Sequence, residues 1–385
     1  MWIWQKKTWP KWNVNVSEDI LRRSVEQARR YGELFGSVQM LSEEDNAEAY
    51  IDAMVTEAVN SFAIEGEFIE AEKVRSSIKC NLGLLPASHL KVEAKEAGAV
   101  ALSIEIRKKY KDDISRGKLS SWQKLIVLQN ALYKLKIGDY RDDAQGPMQI
   151  VSGKMDKPKV HYEAVPAKKI PLEMTKFINW FNSTNTNRAD KTYTPPSVRA
   201  AQAHAWFTMI HPYDDGNGRI SRALCECVFS QSFNSPLLFS LSEAIKLTQK
   251  EYSSQLDILC KGDGDINEFS SYMLDVSEIA QSACEKRILF SLKKYDFLNQ
   301  ASFKGANDRQ KMFLTKILNK RPDAFEDLGF AARHYSAIAK TSSATASRDL
   351  HSLVKLGLAV QDEGKGRSVR YKINLPHVSL FQNSI

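Results

Sequence analysis

The segment that most constrains the fold is twelve residues long and reads His211-Pro-Tyr-Asp-Asp-Gly-Asn-Gly-Arg-Ile-Ser-Arg222. An alanine-rich run from Ser197 to Ile210 precedes it, and a second apolar pattern follows it to about Ser230. In the first run, one helical face carries Val198, Ala201, Ala205 and Met209. The spacing therefore predicts two core helices, with the segment forming the tight loop between them and the first turn of the second helix.

Four residues of this loop have the properties of an anion site. Gly216 and Gly218 permit backbone angles that other residues resist, so that successive N–H groups can turn inward and form a nest for an anion. The helix that begins there adds its unpaired N-terminal amides and the positive end of its dipole. Arg219 and Arg222 are three residues apart, so both guanidinium groups leave the same side of the first turn. Planar, permanently charged groups suit phosphate oxygens.

Two further side chains add reactive chemistry to the loop. His211, whose ordinary pKa is near neutrality, lies at its entrance as a candidate general base. Asp215 offers a hard oxygen ligand for Mg²⁺ beside the phosphates. The combination predicts a nucleotide phosphate site. The alternative is a helix-capping loop whose charges only pair with each other.

The segment resembles the signature of the Fic family, H-P-(F/Y)-x-(D/E)-G-N-G-R-x-x-R, and matches it at every specified position. The resemblance implies a transferase that moves the AMP part of ATP onto a Ser, Thr or Tyr hydroxyl of a target protein. In that mapping His211 deprotonates the hydroxyl and Asp215 holds Mg²⁺. The residues that would hold the phosphates are Gly216, Asn217, Gly218, Arg219 and Ser221, with Arg222 reaching the γ-phosphate.

A helix predicted over residues 43–62 ends in Ser61-Phe-Ala-Ile-Glu65-Gly66. Because glycine commonly ends a helix, this stretch is predicted to be a helix C-terminal turn that stops at Gly66, with Glu65 on its surface. The same residues resemble the Fic inhibitory motif, (S/T)-x-x-x-E-(G/N). That resemblance implies that Ser61, Glu65 and Gly66 form an inhibitory segment whose glutamate enters the nucleotide site and pairs with Arg222.

The regions on either side of the signature predict several further elements. Trp2 and Trp4 alternate as in a short strand, within a cluster of four tryptophans that either docks the N-terminus or forms a binding surface. Ser17 caps a helix that continues to about Arg30. Residues 67–113 are expected to be helical, with interruptions at Gly83 and Pro86. Ser120 or Ser121 caps a helix through Tyr133, and residues 166–182 form another.

Residues 148–151 and 159–162 predict a β-hairpin. In position it resembles the Fic flap, which implies that it pairs with the backbone of the target protein by strand addition. The resemblance also assigns Ser152 and Gly153, where the hairpin turns, to the nucleotide site. A tyrosine lines the adenine pocket in the family, and Tyr252 matches that place; a core tyrosine is the alternative for this residue.

The C-terminal segment differs from the rest of the chain in charge. From Ala301 to Ile385 there are 14 Lys and Arg against 7 Asp and Glu, a net +7 out of +8 for the whole chain. After a linker at residues 299–308, the predicted order of helix, turn, helix and hairpin resembles a winged helix-turn-helix. The residues placed to meet bases are Ser342, Ser343, Thr345, Ser347 and Arg348, and those placed to meet phosphates are Lys365, Arg367 and Arg370. Winged helices that bind proteins are the alternative.

Composition excludes other classes. No apolar run approaches the roughly 18 residues that a membrane span needs, and the first residues lack the apolar core of a signal peptide. Five cysteines, an odd number without a C-x-x-C pair, argue against a disulfide framework. We therefore expect a cytoplasmic protein without a membrane partner.

The sequence as a whole predicts a mainly α-helical protein with three parts. They are a helical N-terminal region with the inhibitory segment (residues 1–113), an all-helical Fic core with a β-hairpin flap (114–298) and a winged helix (305–385). The function implied is a protein adenylyltransferase that uses ATP and Mg²⁺ and is inhibited by Glu65. The expected partners are a target protein bound by the flap, duplex DNA and a second copy of the chain in a homodimer. The alternatives are a relative that transfers another phosphate-containing group and a DNA-binding transcriptional regulator whose Fic core senses nucleotide.

Overall fold

The structure is a computed structural model that describes residues 1–86, 93–128, 135–144, 146–154, 157–186, 193–320, 329–362 and 369–377. Contacts divide the chain into two compact units, Met1–Cys284 and Glu285–Ile385, and the division falls within one long helix. The first unit contains the helices α1 (Glu18–Gln39), α2 (Glu43–Ile64), α3 (Ala71–Asn81), α4 (Ala94–Lys109), α5 (Arg116–Ile126), α6 (Ile170–Ser183), α7 (Pro196–Ile210), α8 (Asn217–Phe233), α9 (Leu241–Leu247), α10 (Gln249–Lys261) and most of α11 (Asn267–Asn299). Among the described residues, no helix has the length and apolar character of a membrane span.

The centre of the first unit is the pair α7 and α8, which are the two core helices that the signature segment predicts. In α7, 13 of 15 residues are buried, and in α8, 14 of 17. A single apolar face was expected for each, but burial extends around both helices because other helices surround them. Small side chains at Ala200, Ala201 and Ala205 are fully buried in this packing. The loop between the two helices is therefore held by the most buried part of the unit.

The predicted helix ends are partly correct. Ser17 caps α1 by accepting a hydrogen bond from the backbone of Ile20, as expected, although the helix continues to Gln39 rather than Arg30. The predicted cap of α5 is wrong: Ser115 is the N-cap, while Ser120 and Ser121 lie inside the helix. Each of these serines precedes a helical pattern, so the sequence alone did not distinguish them. Tyr133 lies outside the described residues.

The N-terminal residues form a 3-10 turn at Ile3–Gln5, so the strand predicted from Trp2 and Trp4 is wrong. The indole rings explain the difference, because each contacts a residue that is distant in sequence rather than a neighbouring strand. The Trp2 ring packs edge-on against Tyr162, and Trp4 Nε1 donates to the Glu163 carbonyl at 2.7 Å. The tryptophan cluster docks the N-terminus on the first unit.

The predicted β-hairpin is present as strands β1 (Gln149–Lys154) and β2 (Lys157–Glu163). They pair antiparallel from Gln149 opposite Glu163 to Lys154 opposite Lys157, with an irregularity between Ile150 and Val151. The strands are longer than predicted and include most of the expected connection. Ser152 and Gly153 lie within β1, and the Ser152 side chain lies outside the described part of the structure.

Polar contacts hold α2 against α9. Glu57 of α2 is buried, and its carboxylate accepts hydrogen bonds from the Ser240 hydroxyl at 2.7 Å and the Ser242 amide at 3.0 Å. At the C-terminal end of α2, Lys246 donates to the Ala63 carbonyl at 2.9 Å. These contacts satisfy backbone groups that a helix end leaves unpaired. They also fix the residues that directly follow α2.

The second unit contains short helices and a strand pair. Its elements after α11 are α12 (Ala301–Gly305), α13 (Asp308–Lys320), α14 (Ala332–Ala339), α15 (Ser343–Lys355), β3 (Ala359–Gln361) and β4 (Tyr371–Ile373). Helix α12 occupies the predicted linker, which is a correction. Asp349 of α15 accepts hydrogen bonds from Arg309 at 2.6 Å and Tyr335 at 2.8 Å, which ties α13, α14 and α15 together.

After α12, the described elements of the second unit follow the predicted order. Helix α14 ends at Ala339 and is followed by Lys340, whose backbone is left-handed with φ of 50°. Ser342 caps α15 by accepting from the Thr345 amide. Strands β3 and β4 pair antiparallel. Lys365 and Arg367 lie outside the described residues. The assignment of this order to a winged helix stays a prediction.

Gly98 of α4 allows a test of how closely α4 packs against α5. A Cβ at Gly98 would lie 1.7 Å from the Leu125 carbonyl of α5, so Gly98→Ala must push the two helices apart. We expect it to destabilise the first unit by about 1–3 kcal/mol, as overpacking does. The control is Gly32→Ala in α1, where a Cβ would meet nothing within 4 Å and helix propensity should add up to about 1 kcal/mol.

All seven tryptophans belong to the first unit, so their fluorescence in urea reports on that unit. A lower urea midpoint for Gly98→Ala and an unchanged or higher midpoint for Gly32→Ala is the expected result. Equal midpoints for the two variants would show that α4 and α5 do not approach as closely as described.

Candidate active site

The loop between α7 and α8 has two left-handed backbone positions. Helix α7 ends at Ile210, and His211 follows it with φ of 51°. Gly216 precedes α8 with φ of 88°, a conformation that glycine adopts readily. Between them, the Asn217 side chain donates to the Tyr213 carbonyl at 2.7 Å and accepts from the Tyr213 amide at 3.0 Å. Asn217 therefore closes the loop on itself.

The imidazole of His211 is in the state that a general base needs. Its Nδ1 lies 3.3 Å from the Thr208 carbonyl, an acceptor only, so the network assigns the ring proton to Nδ1 and leaves the Nε2 lone pair free. Burial, reinforced by the positive charge of Arg141, lowers the pKa of His211 to about 4. The ring is thus neutral at pH 7.

Arg219 is held by the protein on several sides. Its Nη2 contacts both carboxylate oxygens of Asp215 at 3.0 Å, and its Nη1 lies 2.8 Å from Glu67 Oε1. Nη1 also donates to the Ile126 carbonyl at 3.0 Å, and the guanidinium lies 4.9 Å from the centre of the Phe62 ring. A buried guanidinium that is paired in this way is fixed beside the first turn of α8.

Arg222 is held by the last turn of α2 and by Glu65, which directly follows that helix. Its Nη1 lies 2.8 Å from Glu65 Oε1, while Nε donates to the Ser61 hydroxyl at 3.0 Å and Nη2 to the Ser61 carbonyl at 2.7 Å. The Arg222 side chain is 1% exposed and that of Glu65 36%. Burial is the largest influence and would lower the pKa of Arg222, but Glu65, Tyr252 and Glu57 together outweigh it, so the pKa is raised.

The Glu65 carboxylate lies against the backbone at the start of α8. A Cβ placed on Gly218 would be 2.2 Å from Glu65 Oε1 and 3.2 Å from Arg222 Nη1. Gly66, with φ of 77°, ends α2 directly behind this carboxylate. The position where the helix dipole and Arg222 favour an anion therefore holds an anion of the protein itself.

Asp215 fits the role of a Mg²⁺ ligand. Its side chain is 47% exposed and its carboxylate also contacts Arg219. Within the described residues, no group of three or more His, Cys, Asp or Glu is arranged to hold a metal alone. Mg²⁺ beside nucleotide phosphates commonly takes one or two carboxylates, with phosphate and water completing its shell. A single half-exposed carboxylate beside the anion position agrees with that pattern.

Two expected nucleotide contacts have other partners in this structure. Tyr252 is 7% exposed, and its hydroxyl lies 2.8 Å from Nε2 of the buried His204. This is the arrangement expected if Tyr252 is a core residue rather than part of an adenine pocket. Ser221 is fully buried and donates to the Gly218 carbonyl at 2.8 Å within its own helix. The exposed surface of the site is therefore formed by the loop, Asp215 and the Glu65 segment.

Sequence reasoning missed three residues that contact the site. Glu67 pairs with Arg219, His204 contacts Tyr252 behind Arg222, and Arg141 donates from Nε to the His211 carbonyl at 2.7 Å. Glu67 lies two residues after Glu65, which is a weak local signal. Arg141 is 70 residues from His211, and its Arg-Asp-Asp context is that of an ordinary polar turn. His204 lies on a core helix, where a histidine has no distinguishing pattern.

The fold and the loop define a helical domain with an anion site at the start of a central helix. Residues 118–229 match the model of the Fic/DOC family, and residues 2–84 match a model described as a domain of unknown function, DUF4172. The chain therefore contains a Fic domain.

The chain is similar to two curated relatives over about a third of its length. "Protein adenylyltransferase fic-1" of Caenorhabditis briggsae is 26% identical over 132 residues, which are 34% of this chain and 24% of the relative. "Protein adenylyltransferase Fic" of Culex quinquefasciatus is 30% identical over 110 residues, which are 28% of this chain and 19% of the relative. The matches thus span less than a quarter of either relative.

A solved structure has a similar fold. The crystal structure of a Fic family protein from Desulfovibrio desulfuricans G20 superposes with a TM-score of 0.51 and covers 94% of this chain and 97% of its own. The two sequences are 18% identical, so the likeness is one of fold.

The protonation of His211 is directly measurable. Because burial and Arg141 disfavour the imidazolium, its ring should titrate near pH 4 rather than 6.5 and stay neutral from pH 5 upward. The ring resonances in two-dimensional NMR of the ligand-free protein, assigned by their absence in His211→Gln, give the midpoint. A midpoint between 6 and 7 would mean that the ring is hydrated and would contradict the described environment.

Proposed function

We propose that the chain is a Mg²⁺-dependent protein adenylyltransferase that transfers AMP from ATP to a hydroxyl of a target protein and is inhibited by its own Glu65. The observation that carries the proposal is the Glu65 carboxylate at the start of α8, in contact with Arg222 and against Gly218. A position that binds a carboxylate through a guanidinium and a helix N-terminus suits a phosphate by the same chemistry. The names of the curated relatives agree with this activity.

His211 supplies the base for the transfer. Its free Nε2 takes the proton from the target hydroxyl, and the hydroxyl oxygen bonds to the α-phosphorus of ATP. The bond between the α-phosphorus and its bridging oxygen breaks, and pyrophosphate leaves. Mg²⁺, held by Asp215 and the phosphates, would neutralise charge on the leaving group. The α8 amides and Arg219 hold the phosphates in line, and positioning of this kind provides much of the catalysis in phosphate-group transfer.

The β-hairpin is suited to hold the target. Ile150, Val151 and Val160 are exposed on it and offer apolar surface against which a bound peptide can pack. A peptide added along a strand is held by main-chain hydrogen bonds, so its hydroxyl is placed without a requirement for a particular sequence.

Glu65 accounts for inhibition by occupying Arg222. With the carboxylate in place, the γ-phosphate of ATP has no access to this guanidinium. ATP then binds with its α-phosphate turned away from in-line attack, and transfer is slow although nucleotide is bound. Removal of the carboxylate frees Arg222.

The test is transfer of label from ATP to protein. We expect Glu65→Gly to increase self-labelling and target labelling strongly, and Glu65→Gly with Arg222→Ala to lose much of the gain. Adding His211→Ala should lower the rate by about 10²–10⁴-fold while leaving ATP binding largely intact. Glu70→Gly is a matched control, since Glu70 is exposed and pairs with Lys73 rather than with the site.

ATP labelled at the α-phosphate separates AMP transfer from transfer of a phosphoryl group, which carries label only from the γ-phosphate. Equal labelling by the parent and Glu65→Gly proteins would defeat inhibition by Glu65. Absence of α-label in every variant, across lysates of the source cell, would defeat the transferase.

A second candidate function belongs to residues 285–385, for which we propose binding of duplex DNA through α15. Its N-terminal half exposes Ser343, Ser347 and Arg348, and His351 follows on the exposed side. Such a polar helix after a short turn suits the major groove, and the net +7 of residues 301–385 suits phosphates. The corresponding alternative for the whole chain is a DNA-binding transcriptional regulator whose Fic domain senses nucleotide.

Salt dependence tests DNA binding in the full chain. The affinity for a labelled duplex should fall steeply with salt, with a log–log slope of about −0.9 for each neutralised phosphate. Arg348→Ala should weaken binding, whereas Arg22→Ala removes another exposed charge, from α1, and should not. Absence of binding at low salt, or equal effects of the two variants, would favour a protein partner for this unit.

A further inference from the structure

Arg141 lies outside the signature segment, yet its contacts converge on the loop that carries His211. Its side chain is 1% exposed. Nε donates to the His211 carbonyl at 2.7 Å, and the backbone N–H of Arg141 donates to the Pro212 carbonyl at 2.9 Å. Two successive carbonyls of the loop are therefore held by one residue.

The backbone of His211 requires such support. A left-handed conformation costs a residue other than glycine about 1–2 kcal/mol, and His211 adopts it with φ of 51°. This conformation turns the chain sharply after α7 and directs the imidazole into the site. The contacts from Arg141 to the His211 and Pro212 carbonyls select this conformation over less strained ones.

The same guanidinium reaches the base of the hairpin. Its Nη2 donates to the carbonyl of Val165, two residues after β2 ends, and its Nη1 contacts Asp143 Oδ1 at 2.8 Å. Asp143 in turn accepts from the Ala167 amide at 2.7 Å. A second tie runs from Tyr162 of β2, whose hydroxyl donates to the Met209 carbonyl at 2.6 Å. The hairpin region is thus tied at one point to the His211 loop and at a second point to the end of α7.

We propose that Arg141 is a positioning residue for transfer, fixing the His211 imidazole relative to the β-hairpin that presents the target hydroxyl. The role rests on the proposed function, because it presumes that His211 is the base and that the hairpin holds the target. It differs from the roles of the signature arginines, since the described contacts of Arg141 are with backbone carbonyls and Asp143 rather than at the anion position.

Arg141 also adds a charge beside the base. The charged groups that face the His211 ring are Arg141 from the segment before the hairpin, Glu65 from the end of α2 and Asp215 from the loop itself. Of these, Arg141 alone opposes formation of the imidazolium, in the same direction as burial. Loss of its charge should therefore raise the pKa of His211, which is a readout that an effect on stability alone would not produce.

The experiment compares Arg141→Gln and Arg141→Lys in a Glu65→Gly background. Arg141→Gln should lower kcat for AMP transfer about 10²-fold, as displacement of a catalytic group by about 1 Å does, and leave KM for ATP nearly unchanged. Arg141→Lys keeps the charge and one donor, so it should restore part of kcat and keep the His211 pKa low. In Arg141→Gln that pKa, measured by NMR without nucleotide, should rise.

Arg199→Gln is the matched control. Arg199 is another buried arginine, and it donates to the Phe181 carbonyl at 2.9 Å and to Gln231 Oε1 at 2.7 Å, away from the site. It should lower the melting temperature without changing kcat per folded molecule. An unchanged kcat and His211 pKa in Arg141→Gln would overturn the proposal, as would an equal loss of kcat in Arg199→Gln. If the background protein transfers no label, the proposed function fails instead, and the His211 pKa still decides whether Arg141 acts on the ring.

Discussion

The structure of the site depends on one electrostatic position, the start of α8, where unpaired amides and a buried guanidinium face the same small volume. Burial of Arg222 would be unfavourable without an anion, and Glu65 supplies one at 2.8 Å. Gly218 leaves space for that carboxylate, and Gly66 lets the chain turn away behind it. Glu57 and Lys246 hold α2 so that the carboxylate arrives at this point. In the proposed function, a phosphate and Glu65 would therefore compete for one place.

Two kinds of residue determine the structure of the loop between α7 and α8. The signature residues provide charge and amides at the surface of the site, whereas residues distant in sequence fix the backbone that carries them. Asn217 closes the loop internally, and Arg141 ties it to the hairpin. The Ile126 carbonyl and Glu67 hold Arg219. Because the contacts with Arg141, Ile126 and Glu67 come from outside the signature segment, the loop geometry is a property of the packed unit rather than of twelve residues alone.

Much of this arrangement follows from local patterns, and the rest does not. The two core helices, the hairpin and the end of α2 at Glu65 were all predictable, because periodicity and glycine positions are local signals. Arg141 was not, because its partners are backbone carbonyls that any residue presents. The cap of α5 was misassigned because Ser115, Ser120 and Ser121 carry the same hydroxyl, and tertiary packing decides among them. The prediction of an N-terminal strand was wrong because the indole groups of Trp2 and Trp4 make contacts that exist only in the folded unit.

The proposed competition at the start of α8 is tested most directly by the affinities of ATP and ADP. These are measured by calorimetry with Mg²⁺ for the parent, Glu65→Gly and Glu65→Gly/Arg222→Ala proteins. If Glu65 occupies the position of the γ-phosphate, the parent should bind ATP and ADP about equally. Glu65→Gly should then bind ATP about 10–100-fold more tightly than ADP, the effect of a charge-assisted contact of about 1.5–3 kcal/mol. The double variant should lose that preference. The same ratio of ATP to ADP affinity in the parent and Glu65→Gly proteins would contradict the account.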